Sequence, residues 1–211
     1  MRTKPHLNLG AFATLCGVLL CTSVGAQPVA TQSDATMCDR LAAHPLDPDR
    51  IVAGVPTSEV ELAAAISACE AALIVDPANP RLTYQLARVY FYDDRTADAV
   101  RTITRAADAG HRQAQFVLGA LIANNRPDAP KDVCEAERWW ALSAKAGRTA
   151  AEVAYARHAT KGLFSDCGVL GASTDDMLVF LDSAAEKDGN YYLGLLIADL
   201  REDLTNYAEA H

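Results

Sequence analysis

The sequence predicts an all-α protein, an α-solenoid of antiparallel helical hairpins. Three observations predict it. Apolar residues, alanine above all, recur at helical spacing, and no block shows the strict alternation of a half-buried strand. Proline and glycine sit between these apolar-periodic blocks. Two of the blocks also superpose at a constant shift of 37 residues. Ala99, Ile103, Ala106, Ala107, Gly110, Ala114, Leu118 and Gly119 then meet Ala136, Trp140, Ser143, Ala144, Gly147, Ala151, Tyr155 and Ala156. One hairpin cannot bury such a face alone, whereas stacked hairpins can.

The elements follow in chain order. Arg2 and Lys4 precede an apolar run from Leu7 to Val24, with small residues at Val24 and Ala26. This is the layout of a secretory signal peptide over residues 1–26, cleaved after Ala26. The run is broken by Asn8, Gly10 and Thr14 and lacks a positive flank on its far side, so no stable membrane insertion is expected after cleavage. Leu20 stands before Cys21, where a lipoprotein signal needs a small residue. Residues 27–57 are expected to pack on the first hairpin. That hairpin, 58–93, opens with Ser58 and Glu61 in capping-box spacing, stops before Asp76-Pro77, and returns over 81–93. Further hairpins span 96–124, 133–161 and 174–206. Gly110, Gly147 and Gly189 stand at their inner turns, where a left-handed residue ends a helix most easily. Gly194 stands five positions after Gly189, whereas Gly119 stands nine after Gly110. The last hairpin therefore reads as a degenerate cap.

Without the leader, 17 basic and 27 acidic residues remain, a net charge of −10. A surface of that sign repels nucleic acid and anionic lipid, which excludes nucleic-acid binding. Four cysteines also remain: Cys38, Cys69, Cys134 and Cys167. An even number in an exported chain implies disulfides, and three pairings are available. Cys134 begins one helix, and Cys167 follows the antiparallel partner that returns to the same end. Cys38 lies in a short segment able to cover the helix that carries Cys69. Cys38–Cys69 and Cys134–Cys167 are therefore the expected bonds, each closing a loop of about thirty residues, with a stabilisation of roughly 3–4 kcal/mol.

No motif for catalysis stands out. No cysteine has the frame of a protease nucleophile, and no G-x-S-x-G, H-E-x-x-H or phosphate-binding loop occurs. Close cysteine pairs and helically spaced histidines are absent, so neither a metal site nor a cofactor is expected. His111 reads as a turn residue, and His158 as a helix C-terminal residue favoured by the macrodipole.

The segments AVRTITRAADAGHRQAQFVLGALI and AERWWALSAKAGRTAAEVAYA resemble Sel-one-like repeats, relatives of the tetratricopeptide repeat, including the aromatic pair Trp139 and Trp140. The resemblance implies an adaptor that binds a protein or peptide partner, here in the periplasm or outside the cell. It also implies that the first helix of each hairpin lines the concave surface. On that surface Arg101 and Arg138 hold the same repeat position. Trp139, aligned with Thr102, is expected to be partly exposed beside them, while Trp140 aligns with buried Ile103. Arg101, Arg138 and Trp139 are thus the candidate binding residues. The alternative function is a cell-wall or β-lactam-binding hydrolase, as in a cysteine-rich exported branch of the family. Its cysteines lie closer together than here, and this chain has no S-x-x-K motif to supply a nucleophile.

Overall fold

The computed structural model describes residues 35–168, 170–187 and 189–210, with side chains up to 207. The predicted leader and residues 27–34 lie outside it. Among the described residues the regular structure is helical throughout. A short helix α1 (Met37–Ala42) and a 3₁₀ turn (Thr57–Glu59) precede eight longer helices. These are α2 (Leu62–Val75), α3 (Pro80–Tyr92), α4 (Thr96–Asp108), α5 (Arg112–Ala123), α6 (Val133–Lys145), α7 (Thr149–Thr160), α8 (Thr174–Lys187) and α9 (Tyr191–Ala210). Each helix packs on the one before and the one after it, which makes the array a solenoid of hairpins.

Local chemistry sets the helix starts. Asn79 Oδ1 accepts the amide protons of Arg81 and Leu82, with Pro80 at the first helical position of α3. Asp132 Oδ1 accepts from Cys134 N at 2.9 Å to start α6. The expected capping box at Ser58 and Glu61 does not form. Glu61 flanks α2 with no side-chain cap, because Thr57–Glu59 is wound into the 3₁₀ turn after Pro56 and the helix begins only at Leu62. Gly110 and Gly147 take left-handed φ of 84° and 78°. Both turns close with the same bonds, Gly110 N to Ala107 O and His111 N to Ala106 O, repeated 37 residues on as Gly147 N to Ala144 O and Arg148 N to Ser143 O.

The repeat register marks the core. Every non-glycine member of the eight aligned pairs is buried. The register runs on into α8, where Met177, Phe180 and Leu181 hold the places of Trp140, Ser143 and Ala144 and are buried as well. Phe and Leu at positions elsewhere small explain why the pattern fades to the eye there. Ser143 Oγ instead donates to Arg112 O at 2.7 Å, linking the α5 start to α6.

Cys38–Cys69 ties α1 to α2, and Cys134–Cys167 ties the start of α6 to the loop after α7. Asp39, fully buried, completes the α1 docking. Its carboxylate caps Thr36, accepts from Gln85 Nε2 at 2.9 Å and pairs with Arg81.

Gly119 is the tightest joint in the array. A Cβ there would lie 2.6 Å from Trp140 Cδ1, on an indole whose Nε1 donates to Phe116 O at 2.9 Å. Alanine in a helix interior ordinarily gains about 1 kcal/mol over glycine, but overpacking a filled core costs about 1–3 kcal/mol. The fixed indole decides the sign. Gly119→Ala is expected to lower stability by about 1 kcal/mol in urea denaturation followed by tryptophan fluorescence; a stabilised variant would contradict this packing.

Candidate functional site

Between α1 and the 3₁₀ turn, residues 44–54 form a loop whose ends meet: Val55 N donates to Ala43 O at 2.8 Å. Arg88, on α3 and 5% exposed, closes it. Its Nη1 donates to the carbonyls of Ala42 and Ala43 at 2.9 Å each, Nη2 to Val55 O at 2.7 Å, and Nε to Tyr92 Oη at 3.1 Å. Gly54 passes so close to Pro45 that a Cβ would sit 2.2 Å from the proline nitrogen, so only glycine fits.

The loop is fastened to the array at its tip. Asp49 receives Arg112 in a two-toothed grip, Nε to Oδ1 at 3.0 Å and Oδ2 at 3.1 Å, Nη2 to Oδ1 at 2.6 Å. Arg112 Nη1 reaches on to Ala146 O at 3.1 Å. Asp47 Oδ1 accepts from Asp49 N at 2.9 Å, which holds the turn, and the residue has no exposed surface. His111 stacks on Tyr84 with ring centroids 4.9 Å apart and presents Nε2 to Asp47 Oδ2 at 3.5 Å.

Asp47, Asp49 and His111 bring ligand atoms within 4.8 Å of one another, a donor set that would suit a divalent cation by composition. The hydrogen bonds argue against that. His111 Nδ1 accepts the amide proton of Ala114 as the cap of α5, so the neutral ring carries its proton on Nε2, the atom facing the aspartate. Both Asp49 oxygens are held by Arg112. The cluster is better described as a neutral histidine facing a buried carboxylate, with His111 Nε2 and Asp47 Oδ2 3.5 Å apart and neither hydrogen-bonded. Burial drives both pKa values, pushing His111 down to about 4 and Asp47 up to about 6, and outweighs the attraction that the 3.5 Å contact would otherwise add.

Two cavities flank the loop. On one side His44, Tyr84, Arg88, Phe91 and Ile103 surround a cavity of ≈ 200 Å³. It shares Phe91, Val117 and Leu121 with a shallower depression of ≈ 430 Å³ that ends at Asn124 and Arg126, so the two form one largely apolar groove along α3 and α5. On the other side a cleft of ≈ 750 Å³ separates Pro45, Leu46, Pro48 and Arg50 from α7 and from Leu193 of α9. Loop, groove and cleft all lie along α3, α5, α7 and α9, the second helices of the hairpins.

The residues expected to bind lie on the first helices, each arginine beside a neighbour in its own helix. Arg101 on α4 is exposed and pairs with Asp98 one turn away. Arg138 on α6 is exposed and lies with its guanidinium 4.1 Å above the Trp139 ring. Trp139 itself is 4% exposed, which corrects the expectation of a partly exposed indole. It packs with Leu121, Ile122, Ala129 and Ala136, while Trp140 joins the next core segment, stacked on His158 at 4.8 Å. Both neighbours can be buried because α6 lies between two hairpins and has a core on each side. The sequence reading missed Arg88, Arg112 and the loop. The signals were present in a lone arginine within the apolar run LTYQLARVYFY and in the proline-spaced acids of LDPDR.

The architecture places the chain in the class of α-solenoid repeat proteins built from helical hairpins. Among solved structures, a protective antigen present in uropathogenic Escherichia coli strains, displaying an SLR fold, aligns over 81% of this chain at a TM-score of 0.55 and 21% identity. The chain spans 33% of that protein's length. A Sel1 repeat protein from Oxalobacter formigenes is 26% identical over 59% of this chain and 91% of its own, at a TM-score of 0.48. The chain thus has the SLR fold. No protein-family model and no curated protein matches its sequence.

The buried cluster makes the loop acid-sensitive. His111 and His44, both held near 4 by burial, bind protons more tightly when unfolded, so the stability they contribute above pH 6.5 is lost as pH falls toward 4. Asp47 has the opposite sign: its raised folded value makes protonation below about 6 favour the folded state and offsets part of the loss. Asparagine at 111 keeps a cap acceptor that does not titrate. His111→Asn is expected to flatten the fall in stability between pH 6.5 and 4, measured by urea midpoints across that range.

Proposed function

We propose that the protein is an exported, non-enzymatic adaptor that binds a protein or peptide partner along the second-helix face of its solenoid. The observation that carries this reading is the open groove over Phe91, Val117 and Leu121, which leaves aromatic and aliphatic side chains unfilled beside the polar groups of His44, Arg88 and Gln113. A concave, mostly apolar surface with a few fixed polar groups is what recognition of an extended chain needs. Export is supported by the leader-like residues 1–26 and by two disulfides, which persist in an oxidising compartment. The SLR fold of the neighbouring structures supports a protein partner.

Pull-down of tagged protein from an envelope extract tests the reading. Val117→Asp places a charge in the half-buried floor of the groove and is expected to abolish capture of the partner in a protein that is less heat-stable but keeps its helical circular-dichroism spectrum. Arg101→Ala and Arg138→Ala are expected to keep it. Loss in the arginine variants with retention in Val117→Asp would move binding to the first-helix row. Turnover of nitrocefin by the purified protein would favour the hydrolase instead.

A further inference from the structure

The cleft on the other side of the loop differs from the groove in charge. Its lining includes the cations Arg50, Arg148, Arg157 and Lys187 and no acidic side chain, with His158 beside them held toward its neutral form by burial, in a chain whose formal net charge is −8. These cations come from three separate parts of the fold, namely the loop, α7 and the end of α8. Their convergence therefore depends on the loop being fastened where it is.

Two of the four cations carry most of the weight. Arg148 is half-buried at the start of α7, where the partner of its Nε is a neutral amide, Gln113 Oε1, and its guanidinium lies 5.4 Å over the Phe116 ring; the carboxylates of Asp47 and Glu152 act on it without forming a close ion pair among the described residues. Half-buried guanidinium groups ordinarily find an anion. Arg157, exposed one face along the same helix, makes no ion pair among the described residues. By contrast Lys187 is partly neutralised by Glu152 Oε1 at 2.8 Å, and Arg50 Nη1 is spent on Asp47 O at 2.9 Å. Thr149 and Ala150, in the first turn of α7, also line the cleft, and no side chain caps that helix. Their amides and the positive end of the helix dipole add to the same field. Leu46, Val153 and Leu193 supply an apolar wall beside the charges.

We infer that this cleft binds a short acidic peptide segment. A carboxylate-bearing chain matches the cations by charge and the aliphatic wall by its backbone and stems. The overall negative charge selects length. Beyond a Debye length of about 8 Å at physiological salt, the acidic body repels the rest of a long polyanion, while a short segment lies inside the locally positive cleft. Nucleic acid is disfavoured on that ground. The inference does not depend on the apolar groove, since its test uses a synthetic ligand rather than the cellular partner.

Calorimetric titration of the protein with a capped hexaglutamate peptide at low salt is the experiment. Binding is expected, weakening about 3- to 5-fold in Arg157→Gln and again in Arg50→Gln, the range for single exposed ion pairs. Arg138→Gln, on the opposite row, is expected to leave it unchanged. Both cleft positions are exposed, so melting curves should match the wild type. No heat of binding at low salt overturns the proposal, and so does equal weakening by Arg138→Gln. Binding of a hexathymidylate as tight as that of the peptide overturns the assignment to an acidic peptide.

Discussion

A single guanidinium holds the 44–54 loop on the solenoid. Arg88 sits in the interior without a carboxylate, its charge distributed over three backbone carbonyls and a tyrosine hydroxyl. Those carbonyls belong to both ends of the 44–54 loop. Removing the side chain would take the guanidinium donors from the carbonyls of Ala42 and Val55, each loss costing on the order of 1–3 kcal/mol, while Ala43 O would keep the amide of Val55. A lysine could not replace it, because a compact ammonium lacks the planar fork that reaches Ala42, Ala43 and Val55 at once. Everything distal to that clamp follows from it, including the grip of Asp49 on Arg112, the burial of Asp47 and the walls of both cavities.

The array beneath the loop obeys a different rule. Its helices approach closely because small residues recur at fixed places, and each exception is compensated locally. Trp140 replaces Ile103 in the register, and Gly119 on the facing helix vacates the volume the indole needs. Phe180 and Leu181 replace Ser143 and Ala144 at the far end, where α9 packs on α7 as well as α8 and supplies a broader surface. The solenoid is therefore regular in its backbone turns and variable in its side-chain volumes, as expected when each repeat contacts only its neighbours.

This division explains what could be read from the sequence. The hairpins, the left-handed turns at Gly110 and Gly147 and the choice of cysteine partners follow from periodic spacing, and spacing is visible in one dimension. The 44–54 loop and its contacts are not periodic. Arg88, Arg112 and His111 gain their roles by meeting a loop more than thirty residues away in the chain, and no local pattern marks such a meeting. Trp139 shows the converse. Helical geometry turns neighbouring residues apart by about 100°, which suggests that one indole faces solvent. A helix held between two hairpins, however, has a core on both sides and buries both.

Charge follows the same division. The acidic surplus is a property of composition, whereas the cations of the cleft come from segments distant in sequence and are neighbours only because the loop is fastened beside α7. The most direct measurement of this account is hydrogen–deuterium exchange on wild type and Arg88→Met. The account predicts that the amides of Asp47 and Asp49 lose protection in the variant while those of α4 to α7 keep theirs. Unchanged protection in the loop would contradict it, because the clamp would then not be what holds the loop and its flanking cavities in place.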